Sequence, residues 1–596
     1  MVKTRDTTLA VLAAWLWSGT VPAAVTFDAV AAGDMTDSTV ILWTRATDGD
    51  GPAKVTAQVA TDPAFQKIVW TGPAATVPDN DFTVKLNATG LTSFTRYYYR
   101  FTADTTSETG RFTTAPLPEQ NVTITFGITG DADGRFRPFP AIANMERHDL
   151  DFLIFNGDTI YETASGNPLS VSPAVPRLSP ISTSEEALGA LAAYNRKYRE
   201  NILGVTETGA TTTTGQRSLA PMLRATGIYT LLDNHELGNG ALQAGGAPLA
   251  LKTPRNPVAT PEFDVNVTGT FHNQTLAFQT LEKAFFNHHP TRVDITGIPT
   301  TGLTAVGPIV DMPGDPRTHG TPRHFFAQRW GKQSLYIQLD DRSYRDARLG
   351  NVTGGELVPT DPRSSNPNRT ILGVTQFEWL KNSLLQAKEA GITWKFIAIS
   401  SPIDMVGGPP EGQHQDQKSW YGGYRAERNA LLKFIADNAI DHVVFLVTDD
   451  HMARMTRLQY DSGGGMLALV PGAFQIVAGP IGAEGPDAFA QRDRGFLLSK
   501  INARVQSQAA LGQPMDGIGG LPGLTNVKRD IDPDADTNRN AIDFLSPDTF
   551  NYAVLSVDPS GVLTVSVFGI ASYIANRNFT TPPEQEHLIM SFQLQP

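Results

Sequence analysis

Short apolar and β-branched runs, separated by turn residues, fill the chain from residue 25 to residue 116. These runs lie at residues 40–45, 55–60, 82–86 and 97–101. Short β-rich runs at such close spacing are typical of a small β-sandwich. The pattern therefore predicts an all-β domain over residues 25–116, which ends in a threonine- and proline-rich linker at residues 113–118.

Beyond residue 120 the pattern changes to apolar strands that alternate with helices. Strands are predicted at residues 122–127, 150–155, 228–232, 335–339, 394–399 and 443–447. Helices are predicted at residues 187–198, 376–389 and 425–438. This alternation favours an α/β sandwich over residues 120–596. Residues 206–216 and 509–525 are rich in threonine and glycine, which predicts long surface loops.

The first 24 residues have the three parts of a secretory signal. Lys3 and Arg5 make a basic start, residues 7–20 are mostly apolar, and residues 21–24 end in two alanines. The apolar run is too short to span a bilayer comfortably, and no later segment is apolar enough to do so. We therefore expect a signal peptide at residues 1–24 and a secreted or periplasmic protein without a transmembrane segment.

The amino-acid composition excludes several kinds of chemistry. The 596-residue chain has no cysteine, which excludes disulfides, thiolate metal ligands and a cysteine nucleophile. Its net charge is −12 and it has no long basic run, so specific nucleic-acid binding is not expected. A negatively charged substrate would need local positive charge, such as metal ions or a few arginines.

Polar side chains follow four of the predicted strands directly. The first strand is followed by Asp131, and the second by Asp158, Tyr161 and Glu162. The sequence Asp-Asn-His-Glu at residues 233–236 and the sequence Asp-Asp-His at residues 449–451 follow two others. Ligands of α/β folds collect at the carboxyl ends of strands. One such element alone is usually a turn, but four in this arrangement indicate a functional site.

The residue types at these strand ends suit two metal ions a few ångströms apart. Carboxylate, amide and imidazole groups are ligands for Fe, Mn, Zn or Ca. Asp158 is the natural bridge, because one carboxylate can give an oxygen to each ion. Two such ions can bind phosphoryl oxygens, lower the pKa of a bound water and stabilise a leaving oxygen.

These motifs resemble those of the metallophosphatase superfamily, which includes the calcineurin-like enzymes and the purple acid phosphatases, and more narrowly those of the PhoD-like alkaline phosphatases. Members of that family also carry a fibronectin-like N-terminal domain, and residues 91–99 resemble a late strand of a fibronectin type III domain. Further similar stretches are residues 339–346, 372–380 and 420–428. The resemblance implies an α/β fold, namely a four-layer αββα metallophosphatase sandwich preceded by an all-β fibronectin type III-like sandwich.

The resemblance also implies a role for each site residue. The implied metal ligands are Asp131, Asp158, Tyr161, Asn234, Asp449 and His451, with Tyr161 and His451 on the first metal and Asn234 and Asp449 on the second. The implied catalytic residues are His235 and Glu236. His235 would face the substrate and protonate or stabilise the leaving oxygen, whereas Glu236 would orient its neighbours.

Three departures from the PhoD-like pattern bear on the metals and the substrate. The family has a cysteine ligand after the first strand of the catalytic domain, where this chain has Asp131. Leu232 takes the place of a tryptophan, and Asn234 takes the place of an aspartate. The fourth motif is Thr-Asp-Asp-His at residues 448–451 rather than Gly-Asp-Val-His. The first metal site is therefore expected to use only oxygen and nitrogen ligands.

An acidic stretch at residues 532–543 partly matches an EF-hand calcium loop. Asp or Asn side chains occupy its positions 1, 3, 5, 7, 9 and 12. However, Thr537 stands where a glycine is required, and Asp543 replaces the bidentate glutamate. A solvated acidic loop is favoured over an additional calcium site.

Four arginines near the motifs are candidates for holding a phosphate. Arg135 and Arg342 are the two we assign to substrate binding, with Arg137 and Arg345 as further candidates. The alternative for each is a surface or structural ion pair.

The sequence thus predicts a secreted, metal-dependent phosphoric-ester hydrolase that acts on a phosphorylated small molecule or lipid. One alternative is a phosphodiesterase of phospholipase D or nuclease type on the same site. An alternative of another class is a surface binding protein with a vestigial catalytic domain.

Overall fold

The structure is a computed structural model of the full chain. It describes residues 24–162 (apart from 138, 140 and 146), 183–203, 218–238, 272–292, 318, 322–346, 365–404, 420–463, 466–485, 518–529, 545–546, 549–571 and 586–596. The expected signal segment, the loop at residues 206–216 and the acidic stretch at residues 532–543 lie outside these residues, apart from residue 24. Among the described residues, no helix combines the length and the apolar character needed to cross a bilayer.

The N-terminal part is β-rich, as the sequence pattern predicts. Its strands are β1 (Val25–Gly33), β2 (Val40–Asp48), β3 (Gly51–Pro52), β4 (Lys54–Ala60), β5 (Ile68–Ala75), β6 (Thr83–Ala88), β7 (Arg96–Thr102) and β8 (Gly110–Thr113). In β7 the alternate residues Tyr97, Tyr99 and Phe101 are buried, because successive side chains of a strand point to opposite faces. The four predicted runs coincide with β2, β4, β6 and β7.

The remainder mixes strands and helices. The strands are β9 (Ile124–Thr129), β10 (Phe152–Phe155), β11 (Gly227–Thr230), β12 (Phe326–Trp330), β13 (Ser334–Gln338), β14 (Trp394–Ala398), β15 (Val443–Val447), β16 (Ala453–Gly463), β17 (Met466–Val477), β18 (Leu524–Arg529), β19 (Leu545–Ser546), β20 (Thr549–Val557), β21 (Leu563–Ala571) and β22 (His587–Leu594). The helices are α1 (Ile142–Met145), α2 (Ser184–Leu203), α3 (Ala220–Ala225), α4 (Leu276–His288), α5 (Gly373–Glu389), α6 (Trp420–Gly423) and α7 (Arg425–Asp437). The predicted helices coincide with α2, α5 and α7. The predicted loop at residues 509–525 is wrong at its end, because β18 already begins at Leu524.

Three sheets organise the described strands. The largest has the order β18-β22-β21-β20-β9-β10-β11-β1-β2-β3, with β6 paired to β2. The second has the order β12-β13-β14-β15-β17-β16-β19, and the third is β5-β4-β7-β8. Strands β9, β10 and β11 are mutually parallel, as are β13, β14 and β15. Each parallel set therefore presents its carboxyl ends at one edge.

Apolar side chains fill the space between the two larger sheets. Phe126 of β9 stacks on Phe152 of β10, with ring centroids 4.7 Å apart, and meets Phe396 of β14 edge-on at 5.0 Å. The same cluster contains side chains of the N-terminal strands, such as Val55 and Tyr97. A second cluster joins the largest sheet to α2 and α4, and a third joins the second sheet to α5 and α7. The fold is thus a mixed α/β structure with a shared core between its sheets.

Candidate metal centre

The predicted site residues follow four strand ends that come from both large sheets. Asp131 follows β9, Asp158 follows β10, and residues 233–236 follow β11, all in the largest sheet. Asp449 and His451 follow β15 in the second sheet. The carboxyl ends of these strands meet at one place, so residues more than 300 positions apart in the chain become neighbours.

One asparagine joins the two sheets at this edge. Asn156 follows β10, and its side-chain amide donates to two carbonyl oxygens of the second sheet. These belong to Ile399 (2.8 Å), directly after β14, and to Leu446 (3.1 Å), within β15. The Thr448 hydroxyl donates to the Asn156 carbonyl oxygen over 2.9 Å. These three bonds fix the distance between the strand ends that carry Asp158 and Asp449.

The strand ends bring together two groups of potential metal ligands. Ligand atoms of Asp131, Asp158 and His451 all lie within 4.8 Å of one another, and so do those of Asp158, Asp233 and Asp449. Asp158 belongs to both groups, which is the position expected of a bridging carboxylate. Of the residues that the sequence assigns to metals, four are members of these groups: Asp131, Asp158, Asp449 and His451.

The donor set fits hard or borderline metal ions. The carboxyl groups of Asp131, Asp158 and Asp233 are essentially buried. Carboxylates this close together repel one another strongly away from water, and Arg342 offsets only part of that charge through its ion pair with Asp233. Cations bound between the carboxylates would remove the repulsion, and oxygen and imidazole donors are the ligands that Fe, Mn, Zn and Ca accept.

A hydrogen bond selects the tautomer of His451. Its Nδ1–H donates to the carbonyl oxygen of Glu484, and its Nε2 is 3.6 Å from Asp131 Oδ1. In a neutral imidazole this bond leaves the Nε2 lone pair for another partner. The Tyr161 hydroxyl lies 2.7 Å from that Nε2 and therefore donates to it. Tyr161 and His451 thus point at the same place as Asp131.

Burial and the surrounding carboxylates raise the pKa of Tyr161 well above its usual value. Asp158 and Asp131 contribute most to this effect after burial itself. The phenol therefore stays protonated unless a cation compensates its charge. A phenolate ligand, as the resemblance implies for Tyr161, would require a metal ion at this position.

Four site residues have left-handed backbone conformations. The φ angles are 59° at Asp131, 51° at Asp158, 66° at Asp449 and 52° at His451. Such conformations cost energy for residues other than glycine and persist only where neighbouring contacts hold them. Their concentration at the metal centre is typical of a functional site.

Glu236 provides part of that support. Its buried carboxylate accepts hydrogen bonds from the backbone N–H groups of Asp158 (3.0 Å), Thr159 (2.6 Å) and Asp233 (2.8 Å). Burial and the Asp158 carboxylate raise the pKa of Glu236 to about 8. The side chain ties the loop after β10 to the loop after β11.

Both the side chain and the backbone of His235 make hydrogen bonds to carboxylates. Its Nδ1–H donates to Glu162 Oε2 over 2.6 Å, and its backbone N–H donates to Asp158 Oδ1 over 3.0 Å. Its ring lies against Tyr161, with centroids 4.0 Å apart. Asn234, between Asp233 and His235, donates its backbone N–H to Asp233 Oδ1 over 2.7 Å. The partnership with Glu162 was not foreseen from the sequence, although Glu162 stands directly after Tyr161.

The two arginines assigned to substrate binding occupy different environments. Arg135 is about one-third exposed and donates to Asp133 over 2.8 Å, beside the first ligand group. Arg342 is fully buried, pairs with Asp233 and donates to the Ser401 hydroxyl over 3.2 Å. Although burial alone would lower the pKa of Arg342, the carboxylates of Asp233 and Asp341 raise it above its usual value. Arg342 therefore lies behind the site, in contact with a carboxylate.

Sequence reasoning missed Asp233 as a member of the centre. Asp233 directly precedes Asn234 in the recognised motif, so the motif itself contained the signal. Asp341, which accepts from Ser400 over 2.8 Å and lies 4.0 Å from Arg342, was also missed. Both aspartates lie near Arg342. The contact between Asp233 and Arg342 joins distant parts of the chain, so local sequence does not reveal it.

Comparisons with known proteins agree on one family. The family model "PhoD-like phosphatase" matches residues 130–512, and "PhoD-like phosphatase, N-terminal domain" matches residues 19–116. Alkaline phosphatase D of Bacillus subtilis (strain 168) is 27% identical over 500 residues, which is 80% of this chain and 72% of that protein. A solved structure of PhoD has 21% identity and a TM-score of 0.63, and it covers 95% of this chain and 90% of its own. The similarity to that structure shows that the two chains share a fold.

Proposed function

Since the chain belongs to the PhoD-like phosphatase family and is a homologue of alkaline phosphatase D, a metal-dependent phosphoric-ester hydrolase, we propose how its own residues perform that reaction. The observation that carries the proposal is the position of Asp158 in both ligand groups. We assign one metal ion to the side of each group, with Asp158 between them, and in the second group we assign the ligand position to Asn234 rather than to its neighbour Asp233. The binding-protein alternative is disfavoured, because a potential ligand follows each of the four strands β9, β10, β11 and β15.

The first proposed metal site consists of Asp131, Tyr161 and His451 together with Asp158. Its ligands are all oxygen or nitrogen atoms, as the absence of cysteine requires. The second site consists of Asp158, Asn234 and Asp449. Because Asp233 Oδ1 accepts from both Arg342 and the Asn234 backbone, we assign Asp233 and Arg342 to positioning Asn234. Fe, Mn, Zn and Ca remain the candidate ions.

The metal ions, when bound, would supply charge for the phosphoryl oxygens and a water of lowered pKa as the nucleophile. The chain's own contribution is to hold the surrounding groups in place. Glu236 fixes the two loops, and Glu162 accepts the Nδ1–H of His235. In its imidazolium form, whose charge the Glu162 carboxylate would stabilise, His235 would give the Nε2 proton to the leaving oxygen and keep the Nδ1 proton. Arg135, at the partly exposed side of the site, is assigned to contact the substrate.

The wider organisation supports the same function. We propose that the two large sheets and their flanking helices form an αββα sandwich, since apolar clusters lie between the sheets and on both outer faces. Residues 25–116 are assigned to a fibronectin type III-like domain and residues 120–596 to the catalytic domain. The composition of residues 1–24 supports export to the periplasm or the medium. A phosphorylated small molecule or lipid is the proposed substrate class.

Replacement of Asp158 tests the proposal most simply. Asp158→Ala should lose most of the bound metal and lower turnover of chromogenic monoesters and diesters at least about a hundredfold, because both sites share this ligand. Asp149→Ala is the matched control, since Asp149 is an exposed aspartate that pairs with Arg96 outside the site. Wild-type metal content and turnover in Asp158→Ala would refute the assignment.

A further inference from the structure

A short segment at the end of α4 connects the N-terminal strands to the catalytic part. Residues 287–292 are all buried. The Trp43 indole of β2 donates to the Asn287 carbonyl oxygen over 2.7 Å. His288 Nε2 lies 3.4 Å from Asp81 Oδ2, just before β6. The segment is thus bound to the N-terminal part at its start.

The end of the segment is bound to the N-terminal part as well. The Arg292 backbone N–H donates to Asp34 Oδ2 over 2.6 Å, and its guanidinium donates to the Asp34 carbonyl oxygen (2.8 Å) and to Asn87 Oδ1 (2.9 Å). Between these anchors the backbone packs tightly on β1. A Cβ atom added to Gly33 would lie only 2.4 Å from the Pro290 carbonyl oxygen. The path of the segment is therefore set by strands β1, β2 and β6.

His289, in the middle of the segment, contacts the catalytic part instead. Its Nδ1–H donates to the Phe285 carbonyl oxygen over 2.8 Å, and its Nε2 lies 3.1 Å from the Thr159 hydroxyl. Complete burial lowers the pKa of His289 to about 3, so the ring is neutral at working pH. With Nδ1 protonated, Nε2 accepts from the Thr159 hydroxyl.

Thr159 is the residue next to the proposed bridging ligand. Its backbone N–H donates to Glu236 Oε1 over 2.6 Å, and its carbonyl oxygen accepts from the Asn201 side chain over 2.8 Å. Asp158 itself has a φ of 51°, a conformation that needs external support. The hydrogen bond that the Thr159 hydroxyl donates to His289 links this loop to the N-terminal strands through residues 287–292.

We propose that His289 is a positioning residue through which the N-terminal β domain holds the Asp158 loop in its metal-binding conformation. The domain is therefore part of the metal centre's framework, although it supplies no ligand. This inference rests on the proposed function in one respect, namely that Asp158 binds metal.

Thr159→Val removes the hydroxyl at nearly constant volume and provides the first test. Metal-free protein would be titrated with Mn²⁺ alone by calorimetry, and thermal unfolding would be measured on the same samples. Loss of one buried hydrogen bond should weaken Mn²⁺ binding about fivefold to tenfold. Thr159→Ser, which retains a hydroxyl, should restore wild-type affinity. Unchanged Mn²⁺ affinity in Thr159→Val would overturn the inference.

A second measurement asks whether the N-terminal contacts act through this bond. Arg292→Gln should also weaken Mn²⁺ binding, but it should add little in the Thr159→Val background, because the same path is already broken. Arg224→Ala is the matched control, since the Arg224–Glu108 ion pair joins the same two parts of the chain elsewhere. Fully additive losses would contradict the proposed path.

The outcomes separate this inference from the proposed function. If Asp158→Ala keeps its metal, the proposed function fails whatever Thr159→Val does. If Asp158→Ala loses its metal while Thr159→Val binds Mn²⁺ normally, only the role of His289 fails. If Arg292→Gln does not fold, the comparison of Thr159→Val with Thr159→Ser still tests the role of His289.

Discussion

His235 illustrates how three neighbours restrict a single residue to which we assign a role. The 2.6 Å bond to Glu162 fixes the proton on Nδ1, and the bond from its backbone to Asp158 fixes its position next to the metal centre. The contact with the Tyr161 ring restricts rotation of the imidazole. Nε2 is therefore the nitrogen that we propose faces the substrate.

His235→Ala should keep its metal content but lower turnover by about 10²–10⁴-fold for esters with poor leaving groups. The loss should be much smaller for nitrophenyl esters, because nitrophenolate needs little protonation. Turnover of an alkyl ester and of a nitrophenyl ester would be compared in the same preparation. Glu162→Gln should show the same leaving-group dependence with a smaller loss. Equal losses for both esters would rule out proton donation by His235.

At the scale of residues, the sequence predicts which residues lie at the site better than it predicts their hydrogen-bond and ion-pair partners. Asp131, Asp158, Asp449 and His451 were identified because each directly follows an apolar strand, which is a local signal. The ion pair between Arg342 and Asp233 was not predictable from local sequence, because the two residues are more than a hundred positions apart. The same holds for His289, whose partner Thr159 lies in another element.

At the scale of elements, the relative placement of the two large sheets determines whether the centre exists. β10 and β15 belong to different sheets, and each is followed by residues that we propose as metal ligands. Asn156 connects these ends through its bonds to Ile399 and Leu446. We therefore expect the asparagine to act on metal binding without touching a metal.

Asn156→Leu should lower the free energy of unfolding by about 1–3 kcal/mol, because buried carbonyl groups lose a donor. It should also weaken metal binding, since the Asp158 and Asp449 loops would lose their common anchor. Thermal unfolding and metal titration would be measured together, with Asn121→Leu as a control on an exposed asparagine that bonds Pro559. Reduced stability with unchanged metal affinity would show that Asn156 serves the fold alone.

Helices and buried parallel strands were the elements that the sequence predicted well. Helices α2, α5 and α7 follow a regular spacing of apolar positions, and β9, β10, β13, β14 and β15 are short continuous apolar runs. The long antiparallel strands β16, β17 and β20–β22 were not predicted. Their residues alternate or mix apolar and polar types, and their strand character depends on pairing across the sheet.

At the scale of the whole molecule, the N-terminal part and the catalytic part share one sheet. β1 pairs in parallel with β11 through Gly33 and Ile228, so the strands β1, β2, β3 and β6 continue the sheet that carries Asp131 and Asp158. The residues of the predicted linker are themselves bonded, since the Ala115 backbone N–H donates to the Thr36 carbonyl oxygen over 2.9 Å. Sequence patterns predict two domains here but give no register between distant strands.

The central claim is that ester hydrolysis requires the metal ions held around Asp158. Its most direct test is elemental analysis of the purified protein before and after chelation, with ester turnover measured on the same samples. We predict about two metal ions per chain, loss of turnover in proportion to metal removed, and recovery when metal is restored. Full turnover in protein stripped of metal would contradict the claim.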